Sequence, residues 1–248
     1  MAASVELNGV TLDYALYSVR AKSLRHAVMN LAVGGKLMRA NNDVTVVRAV
    51  SNVSLRLQEG DRLALLGHNG SGKTSLLKLL AGIYEPTSGA LNVNGKISSM
   101  ISMSIGLDPE ASGIQNIKNL AMMQMMSSRE INRRLPEIIE FTGLGAFIHM
   151  PFKTYSAGMM ARLTFAVATS MDADVLIMDE WLGAGDADFQ DKATARMADM
   201  VNRAKILILA THNPTLAQNV CNKVLVMEGG RPVFFGPTSE WAAQSQAA

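Results

Sequence analysis

Cysteine is almost missing from this 248-residue chain: Cys221 is its one thiol. That excludes an intrachain disulfide framework and any cysteine-built zinc or iron–sulfur centre. A solitary cysteine of this kind reads as a small buried apolar residue. Net charge is almost missing too. Lys and Arg number 23 against 21 Asp and Glu, a formal +2. That is no basis for a dedicated DNA or RNA binder, whose affinity rests on a concentrated excess of cations. Long apolar runs are absent as well, and no stretch approaches the ~18 uninterrupted apolar residues of a spanning helix. The opening MAASVELNGV carries Glu6 and lacks the layout of a signal peptide. The expectation is a soluble chain whose work at a membrane, if it has any, is borrowed from a partner. What it does have is 48% apolar residues, enough for a packed core in one sizeable domain or two small ones.

One absence is local. Between Tyr14 and Asn42 no acidic residue occurs, while Arg20, Lys22, Arg25, Lys36 and Arg39 are spread through the segment. Ser23–Ala32 within it has helical apolar spacing and ends at Gly34-Gly35. The arm is either a solvated face or a surface for anionic lipid or a phosphate-linked cargo. Elsewhere, strands are expected at Val5–Leu12, at Val44–Leu57 as two strands joined by a turn, and at Asp61–Leu66. A hairpin is expected around Asn94-Gly95, joining Ala90–Val93 to Lys96–Met100. From Pro109 to Ser170 the texture is helical, with Ile114–Met126, Ser128–Phe141 and Met159–Thr169. Buried strands return at Val175–Met178 and Ile206–Ala210, and a strand pair, Val224–Met227 with Pro232–Phe235, turns at Gly229-Gly230. Strands alternating with helices around an all-helical insert indicate an α/β fold with a subdomain.

The chemistry concentrates at two places. Gly67, His68, Asn69, Gly70, Ser71, Gly72, Lys73 and Thr74 fit G-x-x-x-x-G-K-[ST] between an apolar strand and the helix Thr74–Ala81. Such a loop turns consecutive N–H groups inward around an anion, and the helix start adds its positive end. Lys73 is then in reach of terminal phosphates and the Thr74 hydroxyl of Mg²⁺, with Ser75 next in the cradle. These are the residues of a nucleoside triphosphate site. Roughly 100 residues on, the apolar run Val175–Met178 ends in Asp179 and Glu180. Asp179 is placed to hold Mg²⁺, and Glu180 to orient or deprotonate an attacking water.

Tyr155-Ser156-Ala157-Gly158-Met159, followed by ARLTFAVA, resembles the signature loop and helix of ATP-binding cassette (ABC) ATPases. Gly185-Asp186 lies where that family keeps its D-loop, and Thr211-His212 where it keeps its switch histidine. The form YSAGMMARLTFAVA, with DEWLGAGDADFQDKA and GLDPEASGIQNI, resembles cassettes of bacterial surface polysaccharide exporters; the basic arm is similar to that of the lipopolysaccharide O-antigen branch. The resemblance implies a P-loop NTPase (RecA-like) core with an antiparallel β subdomain and a helical insert. As one cassette over 1–248, the core and β subdomain take 1–107 and 171–248, and the helical subdomain takes 108–170. It implies ATP and Mg²⁺ as cofactors, Glu180 and His212 as catalytic residues, and Thr74 and Asp179 as metal ligands. Two identical cassettes then close head to tail on two ATP molecules. Ser156, Ala157, Gly158 and Met159 of one protomer, with Asp186, meet the nucleotide held by the P-loop of the other. Partners implied are a separate transmembrane permease and a lipid-linked glycan as cargo, with no nucleic acid. The place implied is the cytoplasmic face of the inner membrane.

The sequence departs from that pattern at Ser102, which stands at the Q-loop position and is too short to reach Mg²⁺ directly. The chain as given, ending at Ala248, leaves no room for a carbohydrate-binding domain, so recognition of a sugar cap is not expected of it. Adenine stacking falls to Tyr14 or to Tyr17. Met122, Met123, Met125 and Met126 are either core filling or a deformable docking groove for a membrane subunit. Export of capsule or teichoic acid, a non-transport ABC ATPase acting on nucleic acid or ribosomes, and a nucleotide-gated module without turnover are the alternatives.

Overall fold

The computed structural model describes residues 2–17, 36–40, 44–101, 106–180 and 187–246. Most of the basic arm, including Ser23–Ala32 and Gly34-Gly35, lies outside them. So do Ser102, Gly185, Asp186 and the side chain of Tyr17. The chain divides into two compact units. One comprises Met1–Ile97, Asp174–Trp181 and Lys205–Ala248, and the other Ser98–Ala173 with Leu182–Ala204.

The first unit contains an antiparallel sheet of β1 (Ser4–Tyr17), β2 (Lys36–Ala40), β3 (Val44–Gln58) and β5 (Ser88–Asn94), in the order β2-β3-β1-β5. Val5, Leu7, Val53, Leu55 and Leu57 are buried in alternation with more exposed neighbours, the pattern of a sheet with one covered face. The two strands expected over Val44–Leu57 are a single strand. The signal read as a turn is a set of register shifts between β1 and β3, with Asn52 at φ 53° and its N–H donating to Thr11 Oγ1 at 3.1 Å. Irregularities of this kind bend a strand without ending its pairing.

The second sheet runs β10-β9-β4-β8-β7-β6, with β4 Arg62–Leu66, β6 Ile97–Ser99, β7 Val175–Asp179, β8 Ile206–Ala210, β9 Lys223–Glu228 and β10 Arg231–Pro237. Its β9-β4-β8-β7 centre is parallel, whereas β9 and β10 form the expected antiparallel pair. Parallel strands covered on both faces read as unbroken apolar runs, as in RLALL, VLIMD and ILILA. Helix α1 (Lys73–Leu80) buries Leu76, Leu77, Leu79 and Leu80. The hairpin expected at Asn94-Gly95 does not form. β5 pairs with β1, and the chain then turns into the other sheet, where Lys96 N–H donates to Asp174 Oδ2 at 2.8 Å and Lys96 O accepts from Asp174 and Val175. The tight-turn signal is real, but its two arms belong to different sheets.

The second unit packs α2 (Gly113–Met123), α3 (Ser128–Thr142), α4 (Ala157–Ala168) and α5 (Ala187–Arg203). Ile117, Leu120, Ile131, Ile138, Leu163 and Val167 are among its fully covered side chains. It is broader than the helical segment 108–170 read from the sequence. Helix α5 joins it because Phe189 meets Phe141 and Phe165 edge-on at 5.3 and 5.9 Å, and Arg196 pairs with Glu137 at 2.7 Å. Helix α2 ends three residues before the expected Met126, where Met125 takes φ 62°. Helices α6 (Pro214–Val220) and α7 (Thr238–Gln246) complete the first unit. Among the described residues, no helix is long and apolar enough to cross a membrane.

Candidate functional site

Strand β4 ends at Leu66 and α1 begins at Lys73, so Gly67–Gly72 is the whole connection. Two glycines make that tight loop possible. Gly67 at φ 144° and Gly72 at φ 103° hold conformations that side chains avoid. A Cβ at Gly67 would run into Met227 O and Ser71 Oγ, and one at Gly72 into Ala49 O. Gly230 N–H donates to Ser71 O at 3.0 Å, and Ser51 N–H to Gly230 O at 2.7 Å, so β3 and the β9–β10 turn brace the loop. Ser71 is buried, and its Oγ has no hydrogen-bond partner among the described residues. The fit of this loop to an anionic ligand rests instead on its backbone N–H groups at the start of a helix.

Lys73 Nζ donates to Gly67 O at 2.6 Å and His68 O at 3.0 Å. Burial lowers its pKa below the usual lysine value, opposed by the carboxylates of Asp179 and Glu180. The parallel pairing of β7 with β8 sets Asp179 opposite Ala210 and so places both acids beside Thr211 and His212. Thr74 Oγ1 donates to Asp179 Oδ2 at 3.1 Å. Glu180 has the left-handed φ of 72°, its N–H donates to Ala210 O at 2.8 Å, and its Oε1 lies 2.6 Å from His212 Nδ1. A non-glycine residue held there costs about 1–3 kcal/mol and persists because its surroundings enforce it, a recurrent feature of functional sites.

These groups share a cavity of about 320 Å³. Its lining is polar at Asn69, Lys73, Thr74, Ser75, Asp179, Glu180 and His212, and Tyr14, Val47 and Ala49 add an aromatic ring and two apolar side chains. Tyr14 stands opposite Val47 in the β1–β3 register, and its hydroxyl donates to Ser75 Oγ at 3.3 Å. Burial raises the Tyr14 phenol above its ordinary pKa. The neighbouring register pair, Asp13 and Arg48, forms a two-pronged ion pair with both bonds at 2.8 Å. The Arg48 guanidinium holds the Asp13 carboxyl below its ordinary value.

Of the run Gly67–Ser75, Asn69, Gly70 and Gly72–Ser75 line the cavity, whereas Gly67, His68 and Ser71 do not. His68 Nδ1 instead lies 2.7 Å from Asn69 O, within the loop itself. Sequence reading missed Val47 and Ala49, which carry no functional chemistry and gain a role only by lying on β3 beside the loop. Ser156, Ala157, Gly158 and Met159 lie in the other unit. There Ser156 caps α4 by accepting from Met159 N–H at 3.2 Å, leaving other N–H groups of the first turn unpaired by the cap. Tyr155 anchors that start: it is buried and its hydroxyl donates to Phe147 O at 2.8 Å.

Residues 50–183, more than half of the chain, match the family described as ABC transporter. The chain belongs to that family. As an ABC cassette it is 39% identical over 227 residues to the O-antigen export system ATP-binding protein RfbE of Yersinia enterocolitica, covering 92% of this chain and 95% of that one. It is 40% identical over 210 residues to the O-antigen export system ATP-binding protein RfbB of Myxococcus xanthus, covering 85% of this chain but 48% of that longer protein. The teichoic acids export ATP-binding protein TagH of Staphylococcus haemolyticus is 32% identical over 240 residues, with 97% and 87% covered. Among solved structures, the dimeric post-hydrolysis form of the cassette MJ0796 bound to ADP and Pi superposes with a TM-score of 0.66. It is 18% identical, covers 94% of this chain and 98% of its own, and supports the fold. The P-loop, α/β core and helical unit are thus those of an ATP-binding cassette.

Proposed function

We propose that this cassette is the ATP-hydrolysing subunit of an exporter that moves a lipid-linked polysaccharide of the O-antigen type. The observation that carries the hydrolytic part is the convergence of Lys73, Thr74, Asp179, Glu180 and His212 on one cavity. The cargo class rests on the likeness to RfbE over nearly its whole length. Lys73 and the loop N–H groups bind the triphosphate, and Tyr14 supports the base. Glu180, steered by His212, orients the attacking water and takes its proton. Thr74 and Asp179 offer the hydroxyl and carboxylate oxygens that suit Mg²⁺, which keeps few protein ligands and takes the rest of its shell from water and phosphate. When bound, Mg²⁺ neutralises charge on the phosphate oxygens.

Two copies close on ATP, with Ser156–Met159 of one capping the nucleotide of the other, and Asp186 at the same interface. A helix start capped by serine suits that task. A separate permease receives the motion and keeps the cassette at the cytoplasmic face of the inner membrane. Met122, Met123 and Met125 are 49%, 56% and 90% exposed on the helical unit, while Met126 is buried. Three flexible thioether side chains in the open form a surface that moulds to a partner helix. The TagH likeness favours teichoic acid as the second reading of the cargo.

Phosphate release measures the enzymatic part. Glu180→Gln retains ATP binding and loses turnover by about 10²–10⁴-fold, the scale of a missing general base. Near-normal release by that variant removes Glu180 from the chemistry. Co-expression with a candidate permease and identification of the lipid-linked glycan that accumulates when Glu180→Gln is introduced tests the cargo. Accumulation of teichoic acid precursors would transfer the assignment to the second reading.

A further inference from the structure

The base end of the cavity has a second aromatic behind Tyr14. The Tyr84 ring meets the Tyr14 ring edge-on, with centroids 5.5 Å apart and planes at 76°. Tyr84 does not line the cavity and is 38% exposed, so neither ligand contact nor core filling accounts for it. Its backbone is tied to the end of α1: the N–H groups of Ile83 and Tyr84 both donate to Lys78 O, at 2.9 and 3.4 Å. Its ring is held from the same helix, with Lys78 Nζ 5.8 Å from the centroid. Tyr14 is bound to α1 a second time, through its hydroxyl and Ser75 Oγ. Ser75 and Lys78 are one turn apart and share a helix face.

We infer that Tyr84 is a positioning residue for nucleotide recognition: clamped to the end of α1, it fixes the Tyr14 ring so that the base wall and the phosphate loop ride on one rigid helix. The inference rests on the reading of this cavity as an ATP site with Tyr14 at the base. Helix α1 carries Lys73 and Thr74 at its start and, through Ser75, Lys78 and Tyr84, the support of Tyr14 at its flank. The spacing between base support and phosphate grip is therefore set within one element. A ring held in place loses little freedom when a base stacks on it, which raises affinity without touching the reacting phosphate. The Tyr14 hydroxyl also donates to Ser75 Oγ, which leaves the serine proton available for an acceptor in the cavity.

The test uses the full chain with ATP as substrate and inorganic tripolyphosphate as a competitive inhibitor that lacks a base. Tyr84→Ala raises the KM for ATP by about 3- to 10-fold, the scale of one aromatic pair. It leaves kcat within about twofold and the tripolyphosphate Ki unchanged, because the loss is confined to base binding. Tyr84→Phe retains the ring contact and stays within about twofold of the parent in every constant. An unchanged KM in Tyr84→Ala, a parallel rise of KM and Ki, or a Tyr84→Phe variant as impaired as the alanine would each overturn the inference. Failure of the parent chain to bind ATP would instead overturn the reading of the cavity, and is seen before any variant is compared.

Discussion

The two ends of the cavity are built by opposite strategies. The phosphate end is one continuous stretch of chain, Gly67 to Ser75, whose glycines and helix start are dictated locally. The base end is assembled from β1, β3 and the exit of α1, residues separated by dozens of positions and joined by one ring contact, one hydroxyl bond and one ion pair. Continuous sites tolerate little change because every residue sits on its neighbour's geometry. Assembled sites divide their work, so single losses there are graded.

Lys73→Ala breaks the comparison hardest. It removes the cation from the phosphate end and reduces ATP turnover by roughly 10²–10³-fold, the cost of deleting one preorganised charge-stabilising donor. The folded protein survives, because burial already lowers the Lys73 pKa and so disfavours its charged form in the fold. Turnover and the ligand-free unfolding midpoint, measured on the same preparation, separate the two effects. Gly72→Ala comes next. Its φ of 103° and the approach of Ala49 O leave no place for a methyl group, so stability falls by more than ~1 kcal/mol along with ATP binding. Denaturant midpoints read the loss.

At the base end, Tyr14→Ala raises the KM for ATP by about 5- to 150-fold, from the ~1–3 kcal/mol of one base–aromatic stack, with kcat little changed. If it removed turnover as completely as Lys73→Ala, the two ends would not be separable. The smallest effect belongs to Asp13→Asn, which weakens the ion pair behind Tyr14 and lowers stability by ~0.5 kcal/mol, the scale of a partly exposed pair. Its sign with pH follows from the lowered Asp13 pKa. The contribution is present above the unfolded value of about 3.9 and is lost as pH falls through the lower folded value. Urea midpoints of parent and variant therefore differ at pH 7 and converge in acid.

The same contrast explains what could be read without coordinates. The P-loop and the acidic end of β7 are each spelled by adjacent residues whose chemistry follows from order, whereas Thr211-His212 and the loop at Ser156 take their meaning from the resemblance to a known family. The buried strand Ile206–Ala210 is likewise set by composition. Val44–Leu57 reads as two strands because a bulge and a turn use the same kind of residue, and pairing with β1 decides between them. Asn94-Gly95 marks a turn but not which sheet receives the next strand. Ala49 and Tyr84 have no signal of their own. Ala49 matters as a carbonyl under Gly72, and Tyr84 matters as a neighbour of Tyr14, and both relations are made by the fold. The methionines divide similarly, with Met126 taken into the core and Met125 left outside.

Sedimentation of Glu180→Gln with and without saturating ATP tests the central claim most directly. The account predicts a single-cassette species without nucleotide and a two-cassette species with it. A variant that binds ATP yet sediments as one cassette throughout, even with its permease supplied in detergent, would contradict it.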